Sequence, residues 1–224
     1  TIRAGQPDPT RRGNRRARLK NMVREVGGHT KMLNYSVTGF AHWFVMVGFV
    51  TLGGTLIQAY GQVVEPTFVL PLIGHFGPYL FFVNAIAWAT GIGIVTLILI
   101  RQFTRFFHKS RTSRFAGSVS WRAYYVEATI LAVVFCIVAL HGFEMKLEGK
   151  SGFVADALGG ADALTWIPII ATIKIVVSNL WFIVIALNLN MGVAWHRFLA
   201  FFNIYYKRSA EGKASLGPLP EMLS

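Results

Sequence analysis

The sequence predicts an all-α transmembrane helical bundle, and three observations lead to this fold class. Of the 224 residues, 54% are hydrophobic and only 14% are charged. Long apolar runs recur along the chain, each sufficient for the roughly 20 residues that a bilayer crossing requires. The 22 Lys and Arg residues lie mostly between these runs. This placement favours a membrane protein over a nucleic-acid-binding protein, which the net charge of +12 would otherwise suggest.

Four membrane helices are predicted. They are Ser36–Tyr60, Pro78–Phe103, Trp121–Phe143 and the long stretch Trp166–Tyr206. An apolar segment between the first two, Thr67–Ile73, is too short to cross. The chain begins at Thr1 with neither an initiator methionine nor a signal-peptide pattern, so we expect it to begin inside a longer polypeptide.

The distribution of basic residues predicts the topology and the domain boundaries. Residues 1–35 form a basic segment, 36–206 the transmembrane bundle, and 207–224 a linker rich in Gly, Pro and Ser. Lys and Arg crowd both ends and the middle loop, whereas the two other loops carry only Lys146 and Lys150. The positive-inside rule therefore places both ends in the cytoplasm. The basic segment is expected to be a solvated flank, with binding of anionic lipid or an acidic partner as the alternative.

Two of the six histidines lie within the predicted spans. His42 and His196 should each lie roughly 9 Å inside the cytoplasmic boundary, on antiparallel helices. Two imidazoles at one depth are what a bis-histidine haem b site requires. The alternative is a pair of interhelical hydrogen bonds to Ser, Thr or Asn. His29 and His108 are expected to be solvated surface residues, and His75 is expected on the outer side.

Three segments resemble a known family. The first consists of His29–Leu33, Gly39–Phe44 and Gly54–Leu56. The second consists of Trp195–Arg197 and Phe202–Arg208, and the third is Leu216–Met222. The first two are similar to the haem-bearing helices of respiratory nitrate reductase gamma subunits, and more so to the membrane part of heterodisulfide-reductase-related iron–sulfur oxidoreductases. The third resembles the linker into their cytoplasmic iron–sulfur region. The most similar form is an actinobacterial fused protein resembling electron-transfer flavoprotein dehydrogenase.

The resemblance implies a single haem and a fifth helix before Thr1. Two-haem members of the family have further histidines at the positions of Leu52 and Ser178. Both ligands of the outer haem are therefore absent together, while His42 and His196 remain as ligands of the inner one. Cys136 is the only cysteine, so any iron–sulfur cluster must lie in a partner or in a part of the protein beyond this chain.

Basic residues near the cytoplasmic boundary are candidates for binding the haem propionates, although each could instead face lipid. They are Lys31, Arg122 and Arg197. Glu127 has two possible roles: an ion pair with Arg122, or a position at the haem edge.

An intramembrane lysine, Lys174, indicates a second functional region. A quinone could occupy the space beside Lys174 and Ser178, with His141 and Glu144 exchanging its protons. The alternatives are that Lys174 pairs with an outer carboxylate and His141 lies at the membrane interface. A second haem between His75 and His141 is a further alternative.

The predicted function is electron transfer in the membrane part of a quinone-linked oxidoreductase of the respiratory chain. The resemblance implies an iron–sulfur or flavoprotein partner in the cytoplasm, including electron-transfer flavoprotein, and a quinone, with menaquinone favoured over ubiquinone. The expected location is the bacterial cytoplasmic membrane. A haem-free membrane anchor for a redox domain is the alternative. A transporter is disfavoured because the predicted apolar helices are unbroken.

Overall fold

The computed structural model describes residues 11–107 and 119–210. Within these residues it is a helical bundle without strands, which confirms the predicted all-α fold class. The helices are α1 (Arg15–Gly27), α2 (Ser36–Thr51), α3 (Gly54–Val64), α4 (Gly77–Phe107), α5 (Ser120–Leu147), α6 (Phe153–Ala157), α7 (Ala163–Leu187) and α8 (Gly192–Tyr205). The predictions for His108 and for residues 211–224 lie outside the described residues.

Three helices, α4, α5 and α7, are long and apolar enough to cross a bilayer. The segment Leu33–Thr51 and α3 pass the same test together but bend by 49° at their junction. The described chain therefore has three candidate spans, or four if the bent pair is one span. We call the end where α2 begins and α7 ends the basic end, because the basic segments adjoin it, and the opposite end the far end.

The prediction of one continuous first helix over Ser36–Tyr60 was wrong. The helix breaks at Leu52 and Gly53, between α2 and α3. Two threonines flank this break and bond to backbone carbonyls: Thr51 to Val47 at 2.8 Å and Thr55 to Leu52 at 2.6 Å. Threonine bonds of this kind bend helices, and consecutive glycines lower the cost of bending.

The prediction of one helix over Trp166–Tyr206 was also wrong. A helix of that length would run about 60 Å, roughly twice the hydrocarbon thickness of a bilayer. The chain instead leaves the helix at Asn188 and starts α8 at Gly192. The Trp195 indole donates to the carbonyls of Ile185 and Asn188, at 3.1 and 3.3 Å, and so folds α8 back against the end of α7.

The second and third predicted helices, Pro78–Phe103 and Trp121–Phe143, are confirmed as α4 and α5. Each helix in the structure ends about one turn later than predicted. Pro78 lies in the first turn of α4, where its missing N–H costs nothing.

The start of α7 is capped by Asp162, which accepts from the backbone N–H groups of Leu164 and Thr165. A hydrogen bond from the Thr165 hydroxyl lowers the pKa of Asp162 below its usual value.

Glycines bring α2 and α4 into close contact. A Cβ added at Gly48 would lie 2.0 Å from the Thr90 hydroxyl oxygen, and one at Gly93 would lie 2.8 Å from the Ala41 carbonyl oxygen. Small residues at such crossings allow helices in membranes to approach closely. This pair then packs against α5, where Leu52, Ile86, Ala87 and Ile137 form a buried cluster.

The basic N-terminal segment is not simply a solvated flank, because it contains α1, which packs against α8. Arg18 is only 2% exposed and donates to the carbonyls of Tyr205 and Lys207. Lys207 in turn pairs with Glu25 of α1. Burial lowers the pKa of Lys207, against the opposing effect of Glu25. The two segments that flank the bundle thus form one unit at its basic end.

Candidate functional site

The two histidines predicted to form a pair meet at the basic end. His42 lies in the second turn of α2 and His196 in the second turn of α8. Their ring centroids are 6.0 Å apart and their planes are inclined by 41°. Because α8 is separate from α7, the pairing depends on the return of the chain at residues 188–191 and not on two antiparallel spans.

A third histidine joins them, contrary to the prediction that His29 is a solvated surface residue. The Nε2 atom of His29 lies 3.0 Å from Nδ1 of His42, and the two ring planes are inclined by 23° with their centroids 5.2 Å apart. His29 Nδ1 lies 3.0 Å from the Val26 carbonyl oxygen. We call His29, His42 and His196 the histidine cluster. Periodicity could not reveal this contact, because His29 lies in a turn between helices.

The spacing of His42 and His196 fits two axial ligands of one iron. Imidazole nitrogens that each bind iron at about 2 Å place their ring centroids about 6 Å apart. The inclination is compatible, since each ring can rotate about its own bond to the metal. His196 Nδ1 lies 3.3 Å from the Gly192 carbonyl oxygen, which directs a proton to Nδ1 and a lone pair to Nε2. Haem therefore fits the donor set.

A bare metal ion fits less well. Within residues 11–107 and 119–210, no group of three or more His, Cys, Asp or Glu side chains is arranged to bind one. The third imidazole of the cluster instead bonds to a ring nitrogen of His42. The alternative expected from sequence, a bond from His42 to Ser, Thr or Asn, is replaced by this contact with His29.

A central cavity of about 190 Å³ lies in the middle of the bundle. Its lining is mostly apolar and includes residues of α2, α3, α4, α5, α7 and α8. Leu52 and Ser178 both line it.

Arg197 is the candidate propionate ligand that points into this cavity. Its guanidinium lies 5.0 Å from the Phe49 ring centroid and 5.6 Å from that of Trp181. Its Nη1 atom is buried and has no hydrogen-bond partner among the described residues. A buried cation without an anion is costly, so this position favours an anionic group such as a propionate.

The two other propionate candidates lie nearer the surface of the basic end. Arg122 donates to the Asn190 carbonyl at 3.2 Å, which ties the start of α5 to the turn before α8. Lys31 has a side chain that is 64% exposed, and its Nζ lies 3.7 Å from Glu25. Neither is held as deeply in the bundle as Arg197.

Lys174 is buried in the bundle, with only 2% of its surface exposed. Its Nζ donates to both the carbonyl and the hydroxyl oxygen of Thr55, at 2.8 Å each. The predicted alternative, a pair with an outer carboxylate, is thus replaced by a contact with the first turn of α3. Lys174 and Ser178 line the central cavity together.

A smaller polar pocket lies between Lys174 and the far end. Glu144 accepts from Gln58 at 2.7 Å and from Gln62 at 2.5 Å. His141 Nδ1 lies 3.9 Å from the same carboxylate. Both residues line this far-end pocket together with Lys174. The sequence prediction included His141 and Glu144 but missed the glutamines, whose spacing of four residues places them on one helical face.

Glu127 does not form the ion pair with Arg122 that was one of the two alternatives predicted for it. Its carboxylate binds Arg101 of α4 at 2.7 Å, whereas Arg122 bonds to Asn190. The second carboxylate oxygen of Glu127 is buried and has no partner among the described residues.

His75 and His141, both at the far end, do not form a second pair. His75 is exposed in the turn before α4, and no ring contact joins it to His141 within the described part of the chain.

Comparison with known proteins yields no relative. No protein-family model matches this chain, and neither a curated protein nor a solved structure matches it significantly.

Proposed function

We propose that this chain is the membrane haem b electron-transfer module of a quinone-linked oxidoreductase. The observation that carries the proposal is the pairing of His42 with His196 at a centroid distance of 6.0 Å. Bound there, haem b would supply a one-electron carrier, because two imidazoles saturate the iron. Arg197 would compensate a propionate, with Arg122 and Lys31 available nearer the basic end.

The basic end is proposed to face the cytoplasm of a bacterial cell, within its cytoplasmic membrane. The charge distribution supports this orientation, since Lys and Arg accumulate on the cytoplasmic side of membrane proteins. The histidine cluster would then lie close to a cytoplasmic iron–sulfur domain or subunit. The resemblance described above adds electron-transfer flavoprotein as a candidate donor, and the quinone pool as the acceptor.

The central cavity is proposed to hold the quinone ring. It combines an apolar lining with the cationic side chain of Lys174, which can donate to a quinone carbonyl oxygen. Lys174 also borders the far-end pocket, where Glu144 and His141 could exchange protons with the medium. In this arrangement Lys174 lies between the quinone and the proposed proton-transfer residues, Glu144 and His141.

The proposal is tested by the spectrum of the purified protein. Dithionite-reduced protein should show b-type absorption bands with one haem per chain. His42→Ala and His196→Ala should each remove these bands, since a single axial imidazole in a shell of apolar side chains holds haem weakly. The measurement is a pyridine haemochrome assay on each variant.

The control is His75→Ala, which removes an exposed histidine at the far end. It should leave the haem content unchanged, whereas loss of haem here would favour a ligand pair at the far end. Wild-type protein that folds and inserts without haem would contradict the proposal and leave the membrane-anchor function.

A further inference from the structure

His29 occupies an unusual backbone position at the end of α1. It has φ of 49°, in the left-handed region that favours glycine. Helices often end with glycine in this conformation, and here Gly27 and Gly28 come just before it. A histidine at this position has a backbone cost that glycine would avoid. Such a cost is typical of residues whose side chains are held for a function.

The hydrogen bonds of His29 define the direction of proton donation. The Val26 carbonyl can only accept, so a neutral His29 donates to it from Nδ1, across 3.0 Å. Its Nε2 atom is then an acceptor, and the partner at 3.0 Å, Nδ1 of His42, must donate. His42 is thereby held with its proton on Nδ1 and its lone pair on Nε2, the form that binds a metal.

We infer that His29 is the positioning residue of the haem ligand His42. The inference rests on the proposed function and adds the regulation of that same site. The hydrogen bond fixes the orientation of the His42 ring and increases its basicity, which stabilises ferric over ferrous iron. The midpoint potential of the haem is thus set in part by the turn that joins α1 to α2.

The test uses three substitutions of His29 in the full-length membrane protein. His29→Phe keeps a ring in contact with His42 but removes the acceptor. His29→Gly removes the whole side chain and also relieves the cost of the left-handed backbone. His29→Gln restores a hydrogen-bond acceptor, because the amide oxygen of glutamine extends about as far from the backbone as Nε2 of histidine. Haem affinity is measured by reconstitution, and the midpoint potential by redox titration.

We expect the Phe and Gly variants to bind haem about 10- to 100-fold more weakly, the range found when a partner of a metal-bound histidine is removed. Their midpoint potentials should shift to more positive values. The Gln variant should recover both properties towards those of the wild type. If the role of His29 were purely structural, the Gly variant would keep the haem affinity and the midpoint potential of the wild type.

Trp43→Phe provides the matched control. The Trp43 indole donates to the Gly27 carbonyl at 3.0 Å, so it ties α2 to the same turn without bonding to a histidine. This variant should leave the potential unchanged. The inference is refuted if Trp43→Phe shifts the potential as far as His29→Phe, or if the Gly variant keeps wild-type affinity and potential. Wild-type protein without haem refutes the proposed function and this inference together.

Discussion

Ser178 distinguishes the quinone proposal from the haem proposal, because it lines the central cavity but lies outside the histidine cluster. Ser178→Phe would place a ring in the cavity. We expect quinone reduction to fall about ten-fold or more, equivalent to at least about 1.4 kcal/mol of lost binding. The b-type spectrum should remain, since neither His42 nor His196 is altered. The measurement is reduction of a soluble quinone analogue, with the reduced-minus-oxidised spectrum recorded on the same sample.

Ser178→Ala is the control for this substitution, because it removes the hydroxyl and leaves the cavity open. It should retain most of the activity. If Ser178→Phe reduces quinone at the wild-type rate with its haem intact, the quinone binds elsewhere and the central cavity is not its site.

At the residue scale, the sequence predicted contacts between residues in apolar helices better than contacts made by residues in turns. His42 and His196 were predicted to meet because both lie in apolar runs, where an unpaired imidazole is costly. His29 was missed because its contact requires a left-handed residue in a turn, which the apolar pattern does not encode. An ion pair with Arg122 was one of two alternatives for Glu127, yet Glu127 binds Arg101, and the choice between these arginines depends on helix rotation.

At the scale of whole helices, the crossing of α2 and α4 depends on the absence of a side chain at Gly48. A Cβ there would lie 2.0 Å from Oγ1 and 2.9 Å from Cγ2 of Thr90. Gly48→Ala should therefore destabilise the protein by about 1–3 kcal/mol, the usual effect of overpacking. The double variant with Thr90→Ala, which lacks the two nearest atoms but keeps Cβ of residue 90 at 3.0 Å, should recover part of this loss. Thermal unfolding in detergent measures both variants.

Gly54→Ala supplies the comparison, because an added Cβ at Gly54 has nothing within 4 Å. Alanine is favoured over glycine within helices, so this variant should be as stable as the wild type or more stable. Equal destabilisation by Gly48→Ala and Gly54→Ala would show that glycine flexibility, and not close packing, accounts for the effect.

The helices themselves show which features a hydropathy pattern can predict. It located α4 and α5 to within about a turn, because each is one apolar run between polar loops. The hydropathy pattern predicted α2 and α3 as one helix, and α7 and α8 as one helix. The junctions at Leu52–Gly53 and Asn188–Met191 are too short to interrupt the apolar pattern. A hydropathy pattern does not encode the hydrogen bonds found at these breaks, which are those of Thr51 and Thr55 to nearby carbonyls and those of Trp195 to the end of α7. Two of the four predicted helices are therefore broken, and the argument against a transporter from unbroken helices holds only for α4 and α5.

At the scale of the whole molecule, the basic end is assembled from both ends of the described chain. The helix α1 packs along α8 through Arg18, and the turn after α1 reaches His42 through His29. The element that carries His196 and the one that positions His42 are thus in contact. A partner that binds the basic surface of α1 would lie next to the histidine cluster, which is consistent with the proposed electron transfer from a cytoplasmic donor.

The proposed orientation can be tested with single cysteines at the two ends. The only native cysteine, Cys136, is buried, so background labelling should be low. His75 and Arg208 are both exposed, at the far end and the basic end respectively. A membrane-impermeant maleimide added to intact spheroplasts should label His75→Cys and leave Arg208→Cys unlabelled until the membrane is permeabilised. The reverse pattern would place the histidine cluster on the outer side, where a cytoplasmic iron–sulfur or flavoprotein donor could not reach it.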